Sequence, residues 1–214
     1  MKTIKNIIFD FGDIFINLDY QATKNAFKNL GLTEWNDELQ AINQLFEKGM
    51  VSEETFLSTL QKYTQQASLQ EIKQAWNALL ADFPMERLEF LENLQPNYTL
   101  FLLSNTDSIH IQEVKDKFGL PFFERFYNCF TKVYFSFEMH MRKPDVEIFE
   151  FVITEQNLNP TETLFIDDRT ENTQSASKVS LQTWNLQVGK EDVRNLFKGT
   201  SKNSFLLQKV LFKN

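Results

Sequence analysis

The stretch "IIFDFGDIF", Ile7 to Phe15, decides how the rest of the chain is read. Lys5 to Phe9 is a short Ile-rich run closed by "DFGD", whose residues favour turns, so it reads as a buried strand that ends at Asp10. From about Tyr20 to Leu94 the pattern becomes helical. It is punctuated by "LGLT" after Leu30, by Gly49 as a C-terminal cap and by the capping box "SLQE", Ser68 to Glu71, with Leu57, Leu60 and Tyr63 at helical spacing. Strand signals return at Tyr98–Ser104, Lys132–Ser136 and Glu162–Ile166, and weakly at Leu181–Leu186. Helical stretches separate them, the clearest being Pro144–Gln156 with Pro in its first turn. This alternation predicts an α/β fold, a three-layer Rossmann-like parallel sheet with helices on both faces. The helical block after the first strand is then an inserted small helical cap, dividing the chain into a core of residues 1–16 and 86–214 and a cap of residues 17–85.

Composition bounds the function. The chain of 214 residues, 42% apolar with 22 Phe, can fill a substantial core. Lys and Arg total 22 against 29 Asp and Glu, a net charge of -7, and no basic cluster tracks a phosphate backbone, which argues against a nucleic-acid partner. Cys129, the single cysteine, sits among aromatics in "YNCF" and reads as a small buried apolar residue; the aromatic run Phe122 to Phe130 reads as core. No apolar run is long enough for a signal peptide or a membrane span, so the cytoplasm is the expected compartment, and with no exposed apolar patch to infer from the sequence a monomer is the default.

Ligands of open parallel sheets bind beyond the carboxyl ends of the strands, so the residues directly after each apolar run matter most. They are Asp10; Ser104, Asn105 and Thr106; Lys143, ahead of the Pro144 helix; and Asp167 with Asp168. Taken singly, each has a plain reading as a turn residue, a helix cap or, for Lys143, a solvated surface lysine. Together they form a pattern. Three converging carboxylates repel unless a cation sits between them, and hard oxygen ligands suit Mg²⁺. Ser104 and Lys143 add the hydrogen-bond donors and positive charge that a phosphate wants.

In that order, "IIFDFG", "LFLLSNT", "MRKPDVEIF" and "LFIDDRTEN" closely resemble the four motifs of the haloacid dehalogenase superfamily. More narrowly they resemble its phosphatases with "RKP" and "DDxxxN" motifs, such as glucose-1-phosphate phosphatase-like enzymes and the phosphatase domain of soluble epoxide hydrolases. The resemblance implies that Asp10 attacks phosphorus to form an aspartyl-phosphate. It implies that Mg²⁺ is held by Asp10, the Gly12 carbonyl, Asp168 and Asp167, with Asn172 orienting that loop. Ser104 and the amide of Asn105 would hold phosphate oxygens, and Lys143 would neutralise both phosphate and Asp10. The expected function is a Mg²⁺-dependent phosphatase of small phosphomonoesters, with sugar phosphates favoured.

Most phosphatases of the superfamily carry a second Asp two residues after the nucleophile; here Gly12 stands there. Asp13 is the nearest replacement in sequence, with turn capping as its plain reading. His140 stands where related sequences have Gly and reads as a surface loop residue, His110 as packed or solvated, and Ser175 and Ser180 replace small glycines behind the last motif. Phe15, Asn17 and Asp19 are candidates for specificity in the loop that enters the cap. Two other functions compete: a 2-haloacid dehalogenase-like hydrolase, which needs no metal, and a non-catalytic phosphate-ligand binding protein.

Overall fold

A computed structural model describes residues 3–197. Five parallel strands, β1 (Asn6–Phe9), β2 (Thr99–Ser104), β3 (Lys132–Phe135), β4 (Thr163–Asp167) and β5 (Gln182–Asn185), form one sheet in the order β3-β2-β1-β4-β5. All five lie within a residue or two of their expected positions. Residues 1–2 and 198–214, assigned to the core, lie outside the described residues.

The helices are α1 (Tyr20–Asn29), α2 (Asp37–Glu47), α3 (Glu53–Gln61), α4 (Leu69–Asn77), α5 (Met85–Leu94), α6 (Ser108–Phe118), α7 (Leu120–Tyr127), the short α8 (Ser136–Met139), α9 (Val146–Glu155) and α10 (Thr170–Lys178). Successive side chains of a strand leave on opposite faces, and that period sorts the core into two layers. Ile7, Phe9, Leu100, Leu102, Leu164 and Ile166 face α5, α6 and α7. Ile8, Phe101, Leu103 and Phe165 face Ile148, Phe149 and Val152 of α9 and Ala176 of α10. Strands buried on both faces explain why Ile7, Ile8 and Phe9 are consecutive apolar residues instead of alternating with polar ones. Phe123, Phe126, Cys129 and Phe130 are core, as read, and burial pushes the Cys129 thiol up to about 11.

Between β1 and β2, helices α1 to α4 enclose an apolar core of their own. Local chemistry starts them: Asn36 and Ser52 cap α2 and α3, and Ser68 with Glu71 completes the capping box of α4. Phe46 stacks on Phe56 at 4.3 Å, and Phe56 meets Trp76 edge to face at 5.0 Å. The chain enters and leaves this helical unit along a two-stranded ribbon in which the amides of Asn17 and Asp19 donate to Asp82 and Leu79, and that of Ala81 donates to Asn17. Gly49 (φ +63°) lies against residue 137, where a Cβ would stand 2.1 Å from the Phe137 carbonyl oxygen, so glycine is needed both for conformation and for approach. Among the described residues no helix is long and apolar enough to cross a membrane.

One boundary differs from the expectation. Helix α9 begins at Val146, so Pro144 lies before its first turn. Backbone contacts hold the preceding segment out of the helix: Asn105 grips Lys143 from both sides, and the Pro144 carbonyl accepts the Ser175 hydroxyl at 2.5 Å.

Candidate active site

Asp10 follows β1 directly, its amide donating to the Ile166 carbonyl of β4, so the strand ladder itself aims its side chain beyond the sheet edge. Asp167 closes β4 and Asp168 follows it. The carboxylates of Asp10, Asp167 and Asp168 offer oxygens within 4.8 Å of one another. Lys143 is buried, 1% exposed, and not the solvated surface lysine its local sequence allows. Its Nζ donates to Asp10 Oδ1 and to Asp167 Oδ2, both at 2.7 Å, and lies over the Phe165 ring.

The surroundings divide the labour among these acids. Asp167 also accepts from Asn172 Nδ2 at 3.1 and 3.0 Å and from the Arg169 amide at 2.8 Å, so both of its oxygens are occupied by protein donors. Asp168 has no such enclosure and faces the cavity. Burial pushes Asp10 up to about 7, with Asp167 and Asp168 reinforcing and Lys143 opposing, and pushes Asp168 up to about 6 with help from Asp167. Burial also works against the Lys143 ammonium, but Asp10 and Asp167 outweigh it and hold its pKa above the usual lysine value. Two of the three acids therefore share one ammonium, which leaves the cluster with excess negative charge, and this composition suits a hard divalent cation.

Asn105, after the second strand, also serves the lysine. Asn105 Nδ2 donates to the Lys143 carbonyl at 2.8 Å and its Oδ1 accepts the Lys143 amide at 2.9 Å, fixing the lysine's backbone. Asn105 and Thr106 line the cavity; Ser104, buried at the strand end beside Phe135, is outside that lining. Thr106 is braced by Ser136, which accepts its amide and donates to its carbonyl, a partner whose only sequence signal is a small hydroxyl directly after a strand.

The position that lacks an acid is filled. A Cβ built on Gly12 would stand 2.8 Å from Leu18 Cδ1, so a side chain there requires Leu18 to move. Asp13 (φ +55°) turns inside the loop, where its Oδ1 accepts the Leu18 amide at 3.1 Å. Phe15 is wholly buried against Phe9 and Phe126, Asn17 binds Asp82 and Arg87, and Asp19 caps α1 through the Ala22 amide. These three brace the ribbon; Leu18 and Tyr20, the intervening and following residues, are the ones on the cavity wall.

The cavity measures about 700 Å³ and runs from the acids to the helical unit, where Trp35 and Trp76 form part of its wall. On its far side lies His110, read from the sequence as packed or solvated and found packed in a polar cluster. Buried His110 on α6 stacks on Trp76 of α4 at 5.0 Å, with Nδ1 3.1 Å from Asp107 Oδ2 and Nε2 3.1 Å from the Trp76 carbonyl. A carboxylate faces one ring nitrogen and a carbonyl the other, an environment that favours the doubly protonated ring. Burial disfavours that charge, yet Asp107, the Trp76 carbonyl and Glu47 outweigh it and raise the pKa, while His110 and the Trp76 indole N–H hold Asp107 below the usual carboxylate range against burial. Trp76 Nε1 also donates to Asp107 at 3.0 Å, so the cluster ties the helical unit to the core. His140, by contrast, is an exposed loop residue (φ +58°) whose Nδ1 meets the Lys48 carbonyl.

His110→Ala should therefore destabilise the fold by roughly 3–5 kcal/mol, the usual cost of stripping one partner from a buried pair. A raised folded-state pKa makes the histidine's contribution complete below its unfolded value of 6.5 and lost as pH rises through the folded value. The stability gap between natural protein and variant, measured by urea unfolding at about pH 6 and about pH 9, should narrow at the higher pH. A gap independent of pH would show that His110 is neutral in the fold.

Comparison with known proteins agrees with this architecture. The model of the haloacid dehalogenase-like hydrolases matches residues 7–186. The chain belongs to the haloacid dehalogenase-like hydrolase family. This hydrolase is 29% identical over 197 residues to the D-ribitol-5-phosphate phosphatase of Bacteroides thetaiotaomicron, covering 87% of this chain and 93% of that protein. A haloacid dehalogenase family enzyme of the same organism, solved as a magnesium complex, is 34% identical with a TM-score of 0.83 over 92% of this chain and all of that one. Its wild-type complex with magnesium and inorganic phosphate gives 34% identity and a TM-score of 0.77 over 88% of this hydrolase and 96% of that chain.

Proposed function

We propose that this hydrolase is a Mg²⁺-dependent phosphatase of small phosphomonoesters, sugar phosphates foremost, working through an aspartyl-phosphate on Asp10. The observation that carries the reading is the single buried ammonium of Lys143 shared between Asp10 and Asp167, with Asp168 open to the cavity beside them. Asp10, Asp168 and the Gly12 carbonyl would hold the cation, with Asp167 behind them positioning Lys143. Bound there, Mg²⁺ supplies charge neutralisation for a phosphoryl group that is being transferred.

The chain's own groups do the rest. Asp10 presents a carboxylate oxygen for in-line attack, and its acyl phosphate splits one difficult displacement into two easier ones. Lys143 holds the nucleophile's orientation and faces the charge that accumulates on the phosphoryl oxygens. The phosphatase relative and the magnesium and phosphate complexes of a similar enzyme support this reading. A dehalogenase, which displaces halide without a metal, has no use for the third carboxylate at Asp168, and a mere binding protein has none for a nucleophile held by a lysine.

With Gly12 in place of an acid, that position offers no group to protonate the leaving alcohol, a service typically worth about 10²- to 10⁴-fold. Phosphate release should require Mg²⁺, stop on chelation, and run at least about 10²-fold faster in kcat on an aryl phosphate than on a simple alkyl phosphate. Equal kcat values would mean that another residue does the acid's work; release that survives chelation would remove the metal from the reading.

A further inference from the structure

The end of helix α2 rests on the segment that carries Lys143. Three successive residues make the contact. Glu47 Oε2 accepts Arg142 Nε at 2.9 Å, Lys48 Nζ meets Asp145 Oδ2 at 3.1 Å while its carbonyl faces His140 Nδ1 at 2.8 Å, and Gly49 lies against the Phe137 carbonyl. The two ion pairs differ in setting. The Glu47 and Arg142 side chains are 18% and 16% exposed, against 29% and 48% for Lys48 and Asp145, so water and salt screen the first pair less. Asn43 Nδ2 faces the other oxygen of Glu47 at 3.4 Å, and Glu47 lines the same cavity as Asp10 and Lys143.

Arg142 stands next in the chain to Lys143, in a stretch, residues 140–145, that belongs to no helix or strand. Side chains therefore have to hold the lysine in place. Asn105 grips its amide and its carbonyl, but one asparagine on one residue is a pivot, and a second anchor one residue away removes the rotation about it. We propose that Glu47 and Arg142 are positioning residues whose bond across the boundary between helical unit and core seats Lys143 against Asp10, so that the placement of the helical unit sets the aim of the ammonium. This rests on the phosphatase reading. Arg142 touches neither nucleophile nor phosphate; it acts through its neighbour.

The test reads kcat on an aryl phosphate with Mg²⁺ and, separately, the affinity for inorganic phosphate by calorimetry. Arg142→Met and Glu47→Met should each lower kcat by about 10- to 100-fold, as a displacement of up to about 1 Å does, and weaken phosphate binding by about 3- to 10-fold. The double variant should lose no more than the worse single one, because both act through one contact. Arg142→Lys, which keeps a cation facing Glu47, should recover most of the rate, and Lys48→Met, which removes the wetter pair at the same helix end, should leave kcat within about 3-fold. Variants that melt earlier yet keep full kcat and phosphate affinity below their melting temperature overturn the proposal, as does a Lys48→Met loss equal to that of Arg142→Met. A natural protein that hydrolyses no ester, but whose phosphate affinity falls in Arg142→Met and returns in Arg142→Lys, keeps the positioning role and sinks the phosphatase reading; one that neither hydrolyses esters nor binds phosphate sinks both.

Discussion

Asp10→Asn is expected to abolish phosphate release, by about 10⁴-fold or more, while raising the stability of the metal-free protein. The substitution is isosteric, and the amide oxygen still accepts from Lys143, so the cavity keeps its shape. What disappears is the negative charge that attacks phosphorus and binds the cation. The stability half follows from the sign of the pKa shift. Burial raises Asp10 from 3.8 to about 7, so ionising it costs folding free energy that begins to accrue as pH rises past 3.8 and is fully charged above about 7. A neutral amide carries no such cost. Thermal unfolding in chelator at alkaline pH should place Asp10→Asn above the natural protein, whereas at acidic pH the two should converge. An inactive variant that is also less stable in chelator would mean that the Lys143 ion pair outweighs the desolvation of Asp10.

Lys143→Met should be damaging on both counts. Activity should fall by about 10³-fold or more, because the ammonium orients the nucleophile and offsets the phosphoryl charge. Stability in chelator should drop by roughly 3–5 kcal/mol, since the substitution leaves a crowded acidic cluster without its buried counter-charge. With three carboxylate residues so close, added Mg²⁺ should recover more of the melting temperature in Lys143→Met than it gains in the natural protein. Scanning calorimetry with and without Mg²⁺ gives both numbers. Equal increments would show that Lys143 and the cation neutralise different acids.

The two predictions draw on different layers of legibility. That Asp10 stands at the end of a strand is legible from its place after an apolar run, because strand period and turn chemistry are local properties of the chain. That Lys143 is buried is not. Before Pro144 it has the local signature of a surface residue, and only the pairing of β1 with β4, together with the grip of Asn105 from 38 residues away, draws its side chain under the acids. The same limit explains Phe15, Asn17 and Asp19: proximity in the loop made them candidates for specificity, but Phe15 packs on Phe126, Asn17 bonds Asp82 and Arg87, Asp19 caps α1, and Leu18 and Tyr20 line the cavity instead.

The amino-acid sequence by itself determined the α/β alternation, the helical insertion after the first strand and the set of acids at the strand ends, since each depends on spacing along the chain. Only the tertiary structure decided which acid is saturated by protein donors and which is open, that Asn105 serves the lysine's backbone, and that Asp107, His110 and Trp76 join core to cap. It also revealed that Glu47 and Arg142 meet across the boundary between helical unit and core. Hydrogen-bond partnership and desolvation are set by groups far apart in sequence that meet only when the sheet and the helical unit close on one another, and no local pattern encodes them.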